Sequence, residues 1–159
     1  MTAPSRPRRP FFLFVLLFCL FVLGIGAVGG GVALAAAPGG GWLGMPLTML
    51  EHSPFKNFFV PGIILAVMLG VYPLIVFYSL LRRPKWKWAA AVNLHRDQHW
   101  SLTHALYVGL ILILWMDFQI FFIGYGSLLQ ASYALFGVLI TILALLPPLR
   151  AYYKQSCAS

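Results

Sequence analysis

Residues 11–37 form 27 consecutive positions without a charge, preceded by a short basic lead that carries Arg6, Arg8 and Arg9. About 20 apolar residues are enough for a helix to cross the hydrocarbon core of a bilayer. A secretory signal peptide is the rival reading. It has the same basic start and apolar run, and Ala33-Leu34-Ala35 and Ala35-Ala36-Ala37 resemble cleavage sites. The apolar core of a signal peptide is only about 7–15 residues, however, so the run is read as a retained membrane span.

Three further apolar runs follow, giving expected spans at about 11–37, 57–81, 102–125 and 130–147. The chain is 61% hydrophobic and 9% charged, against roughly 25% charged in soluble domains. Mean hydropathy is +0.88. The expected fold is all-α: a four-helix transmembrane bundle filling residues 1–159 as a single integral membrane domain, with no soluble domain. The formal charge of +8 raises nucleic acid as a partner. The basic residues flank the apolar runs and form no patch with interleaved aromatics, which argues against it. Cys19 lies in the first run and Cys157 in the tail, so no disulfide framework is expected.

Four spans place both termini on one side. That side holds Arg6, Arg8, Arg9, Arg82, Arg83, Lys85, Lys87, Arg96, Arg150 and Lys154, and the other holds Lys56. The positive-inside rule makes the first side cytoplasmic. The expected location is the bacterial inner (plasma) membrane, multi-pass, N-in and C-in. Arg82 to Trp88 mixes basic residues with tryptophans and marks the membrane–water interface. The loop between spans one and two is then extracytoplasmic. Its apolar Trp42, Leu47, Leu50 and Phe55 predict a cap folded against the outer ends of the spans. Within it, Ser53-Pro54 reads as a helix N-cap followed by Pro at the first helical position, with Asn57 as a second cap. Glu51, His52 and Ser53 offer an acid, a base and a hydroxyl. Neighbours in sequence rarely form a catalytic triad, because each must meet the next through its side-chain tip.

Asp117 is the acidic residue inside an apolar span, about eight residues, or roughly 12 Å at 1.5 Å per residue, from the outer end of span three. An ionisable group there usually faces the bundle and often marks a proton or ion path. The plainer reading is a neutral acid that locks span three to a neighbour, and a contact with Tyr133 is expected. Gln119 lies about 200° round the helix from Asp117, so the two cannot share a groove. One therefore faces a second protein or the cap, which hints at a partner within the membrane.

Gly62, Ala66 and Gly70 repeat every four residues in span two, and Gln130, Tyr133, Gly137, Thr141 and Ala144 line one face of span four. Small residues at this spacing are how membrane helices dock. Pro73 is expected to kink span two. His95 and His99 share a helical face but lack a third ligand for zinc. His104, near the cytoplasmic end of span three, is a candidate axial ligand to haem or chlorophyll, although an interfacial polar role is the ordinary one. No metal and no cofactor is firmly implied.

The pattern Trp42, Leu43, Pro46, Leu47, Leu50, Glu51, Ser53-Pro54-Phe55, Phe58 and Pro61-Gly62, continued by Gln119, Gly124, Leu129-Gln130, Tyr133 and Gly137, resembles a widespread group of small four-span bacterial membrane proteins. The resemblance covers most of the chain outside the tails. It implies the fold and no particular activity. The segment from His95 to His104 is longer and more polar than in that group, consistent with a specialised cytoplasmic partner. Three functions compete. The first is a non-enzymatic accessory or scaffold component beside membrane lipids and another membrane protein or itself. The second is a small proton-coupled transporter using Asp117. The third is a lipid- or quinone-handling enzyme with its site under the cap, lined by Glu51 and His52.

Overall fold

A computed structural model describes residues 9–94, 98–125 and 128–155. His95, Arg96 and Asp97, the Gly126-Ser127 part of the last connection, and Cys157 lie outside the described residues. Four helices are long and apolar enough to cross a membrane: α1 (Phe11–Ala36), α2 (Phe59–Arg82), α4 (Trp100–Ile123) and α5 (Leu128–Leu145). Two short helices join them at the end of the bundle where α1 begins, α3 (Lys87–Ala91) and α6 (Pro147–Gln155). Pro147 opens α6, a position where its missing N–H has no partner to lose. Gly124 ends α4 at φ 82 and ψ 170, a conformation that is essentially glycine's alone.

The bundle is two helical hairpins. In the first, α1 and α2 touch backbone to backbone. A Cβ on Gly31 would lie 2.5 Å from the Gly62 carbonyl oxygen, and one on Gly62 would lie 2.8 Å from that of Gly31. Lower down the same seam, Gly70 faces Val28 and Gly24 faces Leu74. In the second hairpin, a Cβ on Gly109 of α4 would lie 2.8 Å from the Gly137 carbonyl oxygen of α5, and Thr141 closes the contact. Close approach of this kind lets dispersion act over a long seam where lipid removes the usual hydrophobic driving force.

Pro73 acts upstream of itself. In an α-helix its nitrogen would donate to the carbonyl of Leu69, and proline has no hydrogen to give. Leu65–Val71 is wound instead as a π-helix, with the Tyr72 N–H reaching the Val67 carbonyl. The backbone widens where the ladder would break.

The loop between α1 and α2 holds two short 3₁₀ turns, Gly41–Leu43 and Leu47–Leu50. Leu50 and Phe58 are buried against Leu34. Phe55 is half-buried, but Trp42 is 71% and Leu47 47% exposed. The expectation that all four fold under the loop therefore fails for Trp42 and Leu47. Gly40 and Gly44 at positive φ turn the Trp42 segment through a tight loop, which leaves most of the indole uncovered by the protein. Ser53 does not cap a helix either. Its hydroxyl donates to the Leu50 carbonyl at 3.0 Å and accepts the Phe55 N–H at 3.3 Å, closing a turn. Asn57 meets the start of α2, its Oδ1 accepting the Phe59 N–H at 3.1 Å.

Gly70→Leu places a side chain against the α1 backbone and should lower stability in detergent by about 2 kcal/mol, within the usual range for overpacking. Gly29→Leu, where an added Cβ meets nothing within 4 Å, should leave the melting temperature unchanged or higher. Calorimetry of the two variants side by side checks the seam.

Candidate functional site

The two hairpins are joined firmly at the end of the bundle that carries α3 and α6. His104 of α4 is held at both ring nitrogens. Nδ1 pairs with the Tyr72 hydroxyl of α2 at 2.8 Å, and Nε2 with the Ala89 carbonyl of α3 at 3.1 Å. A neutral ring serves both if Nε2–H donates and Nδ1 accepts. Neither nitrogen is left to ligate an iron or a magnesium, so the axial-ligand reading of His104 gives way to a structural tie. The Trp100 indole donates to the Pro84 carbonyl at 2.9 Å, and Trp86, Trp88 and Trp100 stack with centroids 5.5–6.5 Å apart. Thr103 donates to Asn93, whose amide donates to the Gln98 carbonyl. Arg83 ends α2 at φ 51, and its guanidinium lies over the rings of Tyr152 and Tyr153, 4.4 and 4.7 Å from their centroids. Tyr153 donates to the Leu80 carbonyl at 2.8 Å, and burial pushes its phenol well above the usual range, so it remains a donor.

His99 caps α4. Its Nδ1 accepts the Ser101 N–H at 3.3 Å and pairs with the Ser101 hydroxyl at 2.8 Å, while its ring packs beside Trp100 and Tyr153. Burial lowers its pKa below the ordinary value. Its suggested zinc partner, His95, lies outside the described residues, and among those described no cluster of three metal-ligating side chains exists.

At the other end the hairpins separate. Between α2 and α4, roofed by the loop, is a cleft of about 250 Å³ lined by Met45, Leu50, Phe58, Pro61, Phe118 and Phe122, among others. Next to it, bordered by all four long helices and partly open, is a chamber of about 180 Å³ whose lining includes Gly26, Gly30, Leu69, Met116, Gln130 and Tyr133. Leu65, Trp115 and Gln119 belong to both walls. Glu51 and His52 are exposed and line neither space, so the acid and base suggested for a site under the loop are absent from it; Ser53, Pro54 and Phe55 do line the cleft.

Asp117 and Gln119 part company. The buried stripe of α4 runs through Ala105, Val108, Leu112 and Met116. One residue beyond Met116, Asp117 has turned about 100° away. It is exposed, in a stripe with Leu110, Leu114 and Phe121. Among the described residues no hydrogen bond or ion pair reaches its carboxyl. Tyr133 lines the chamber on the inner side of α4, so the expected Asp117–Tyr133 contact is not made. Gln119 takes the inward place. Its amide and the Tyr133 hydroxyl also have no protein partner among the described residues. Sequence reasoning missed Tyr72, Asn93 and Tyr153. The one available pointer was that a histidine within a span needs partners on other elements.

No family model, no curated protein and no solved structure matches the chain.

Protonating His99 puts a hydrogen on the nitrogen that accepts the Ser101 N–H. A histidine with a lowered folded pKa contributes stability that is present above its unfolded value of about 6.5 and is lost as pH falls through the folded pKa. Melting temperature should therefore fall between pH 7 and pH 5. His99→Asn keeps a capping side chain and removes the titration, so its profile should be flatter over the same range, as read by fluorescence-detected melting.

Proposed function

We propose that this is a non-enzymatic accessory component of the bacterial inner membrane, with both termini cytoplasmic, that docks a transmembrane helix of another membrane protein on the outer face of α4. The carrying observation is Asp117. It lies six residues before the end of α4, about 9 Å along the axis, on a surface that would otherwise meet lipid, with no donor to it among the described residues. An ionisable side chain facing lipid is expensive, by about 2.5–3.5 kcal/mol at a helix centre on insertion scales and less toward the helix end. A neighbouring helix bearing a hydroxyl, amide or basic group at the same depth removes much of that penalty. Leu110, Leu114, Asp117 and Phe121 recur at spacings of four, three and four, which suits the seam of a left-handed helix pair.

The orientation is supported by the ten basic residues on the termini side against Lys56 on the other. Transport through Asp117 is less well supported, because the carboxyl faces away from the chamber. Hydrolysis or other acid–base chemistry under the loop is less well supported, because Glu51 and His52 stand outside the cleft.

A photo-crosslinking residue at Leu114, in cells of the native host, should give one discrete protein adduct. A crosslinker at Val22 of α1, also exposed, should give none. Asp117→Leu should reduce the Leu114 adduct at least fivefold while Asp117→Asn, which keeps hydrogen-bonding capacity, retains most of it. Lipid adducts alone at Leu114 would contradict the proposal, and an adduct with a second copy of the chain would replace the foreign partner by a homodimer.

A further inference from the structure

We infer that the chamber and the adjoining cleft form a binding site for a neutral, single-tailed membrane amphiphile whose head carries an oxygen, such as a quinone ring or a long-chain alcohol. This does not rest on the Asp117 reading, since the chamber lies on the opposite side of α4.

Three polar side chains on the chamber wall have no protein partner among the described residues, the Gln119 amide, the Tyr133 hydroxyl and the Trp115 indole N–H, and the last is buried. Together they offer donors and acceptors to one small head. The Trp115 N–H is buried without an acceptor, and leaving such a donor unmet is unfavourable. No lysine, arginine, histidine, aspartate or glutamate lines either space. A phosphate head would therefore go unneutralised, which selects an uncharged one. The cleft beside the chamber is almost wholly apolar and is reached past Leu65 and Gln119, which border both, so a hydrocarbon tail has a place to lie.

The glycines of α1 support the same reading. Gly24 and Gly31 are pressed against α2, so their lack of a side chain is explained by packing. Gly26 and Gly30 are not. An added Cβ at Gly26 meets nothing within 4 Å, and at Gly30 it meets only Leu65 Cδ2 at 3.7 Å. Both line the chamber. Their missing side chains keep the space open.

The test uses the full chain in detergent with two probes, a benzoquinone carrying a decyl tail and dodecanol. Quinones quench tryptophan fluorescence on contact, and Trp115 borders both spaces. Quenching by the quinone should saturate at one per chain, and Trp115→Phe should remove most of the saturable part. Gly30→Leu, which fills the chamber, and Gln119→Leu, which removes the amide at similar size, should each weaken binding at least tenfold with unchanged helical circular dichroism. Displacement by dodecanol would extend the site to long-chain alcohols, and retention of the quinone against it would confine the site to ring-headed ligands. Either supports the inference. Displacement by phosphatidylglycerol would overturn the neutral-head requirement. Quenching that rises linearly without saturation, or saturable binding unchanged in folded Gly30→Leu and Gln119→Leu, would overturn the site.

Discussion

The hydrogen bond from Tyr72 to His104 is the contact on which the shape of the bundle depends. Each hairpin is held internally by glycine seams, which fix α1 to α2 and α4 to α5. Those seams say nothing about how one hairpin meets the other. The Tyr72–His104 pair ties α2 to α4, the Ala89 carbonyl on the second ring nitrogen brings in α3, and Tyr153 on the Leu80 carbonyl adds α6. All of these lie toward one end. With that end fixed and the other bridged by a loop, the hairpins separate, and the cleft and chamber are what the separation leaves.

The polar residues of the spans divide by this geometry. His104 and Tyr72 are used in the tie. Gln119 and Tyr133 face the space between the hairpins. Asp117 faces out. A single helix, α4, thus presents a structural contact near its start, the Trp115–Gln119 wall of the chamber on its inner face and the exposed Leu110–Leu114–Asp117–Phe121 stripe on its outer face. These are compatible because the three sets lie at different depths or at different angles around the same axis.

Much of this was legible in the sequence, and for clear reasons. The four spans stand out because each is long, uncharged or nearly so, and bounded by glycine, proline or basic residues. The opposition of Asp117 and Gln119 follows from helical period alone. Which of them faces inward does not, because α4 is apolar all round and its pattern has no polar side to define the phase. The buried stripe through Ala105, Val108 and Leu112 is chosen by the Gly109–Gly137 contact, a tertiary fact. His104 announced a need for partners, but Tyr72 is 32 residues away and reads as an ordinary aromatic of a span. Trp42 was expected to be buried because so apolar a loop between two spans should fold back over the bundle mouth or lie on the membrane. The positive-φ turns at Gly40 and Gly44, which carry the indole off the protein, are not written in hydropathy.

The orientation of α4 about its own axis is the claim from which both the proposed docking stripe and the proposed ligand wall derive. Spin labels placed singly at positions 112 to 121 of the purified protein in bilayers would read it directly through collision with dissolved oxygen. The account predicts high accessibility at 114, 117 and 121 and low accessibility at 112, 116 and 119. A maximum at 119 with a minimum at 117 would turn the carboxyl into the bundle and contradict both.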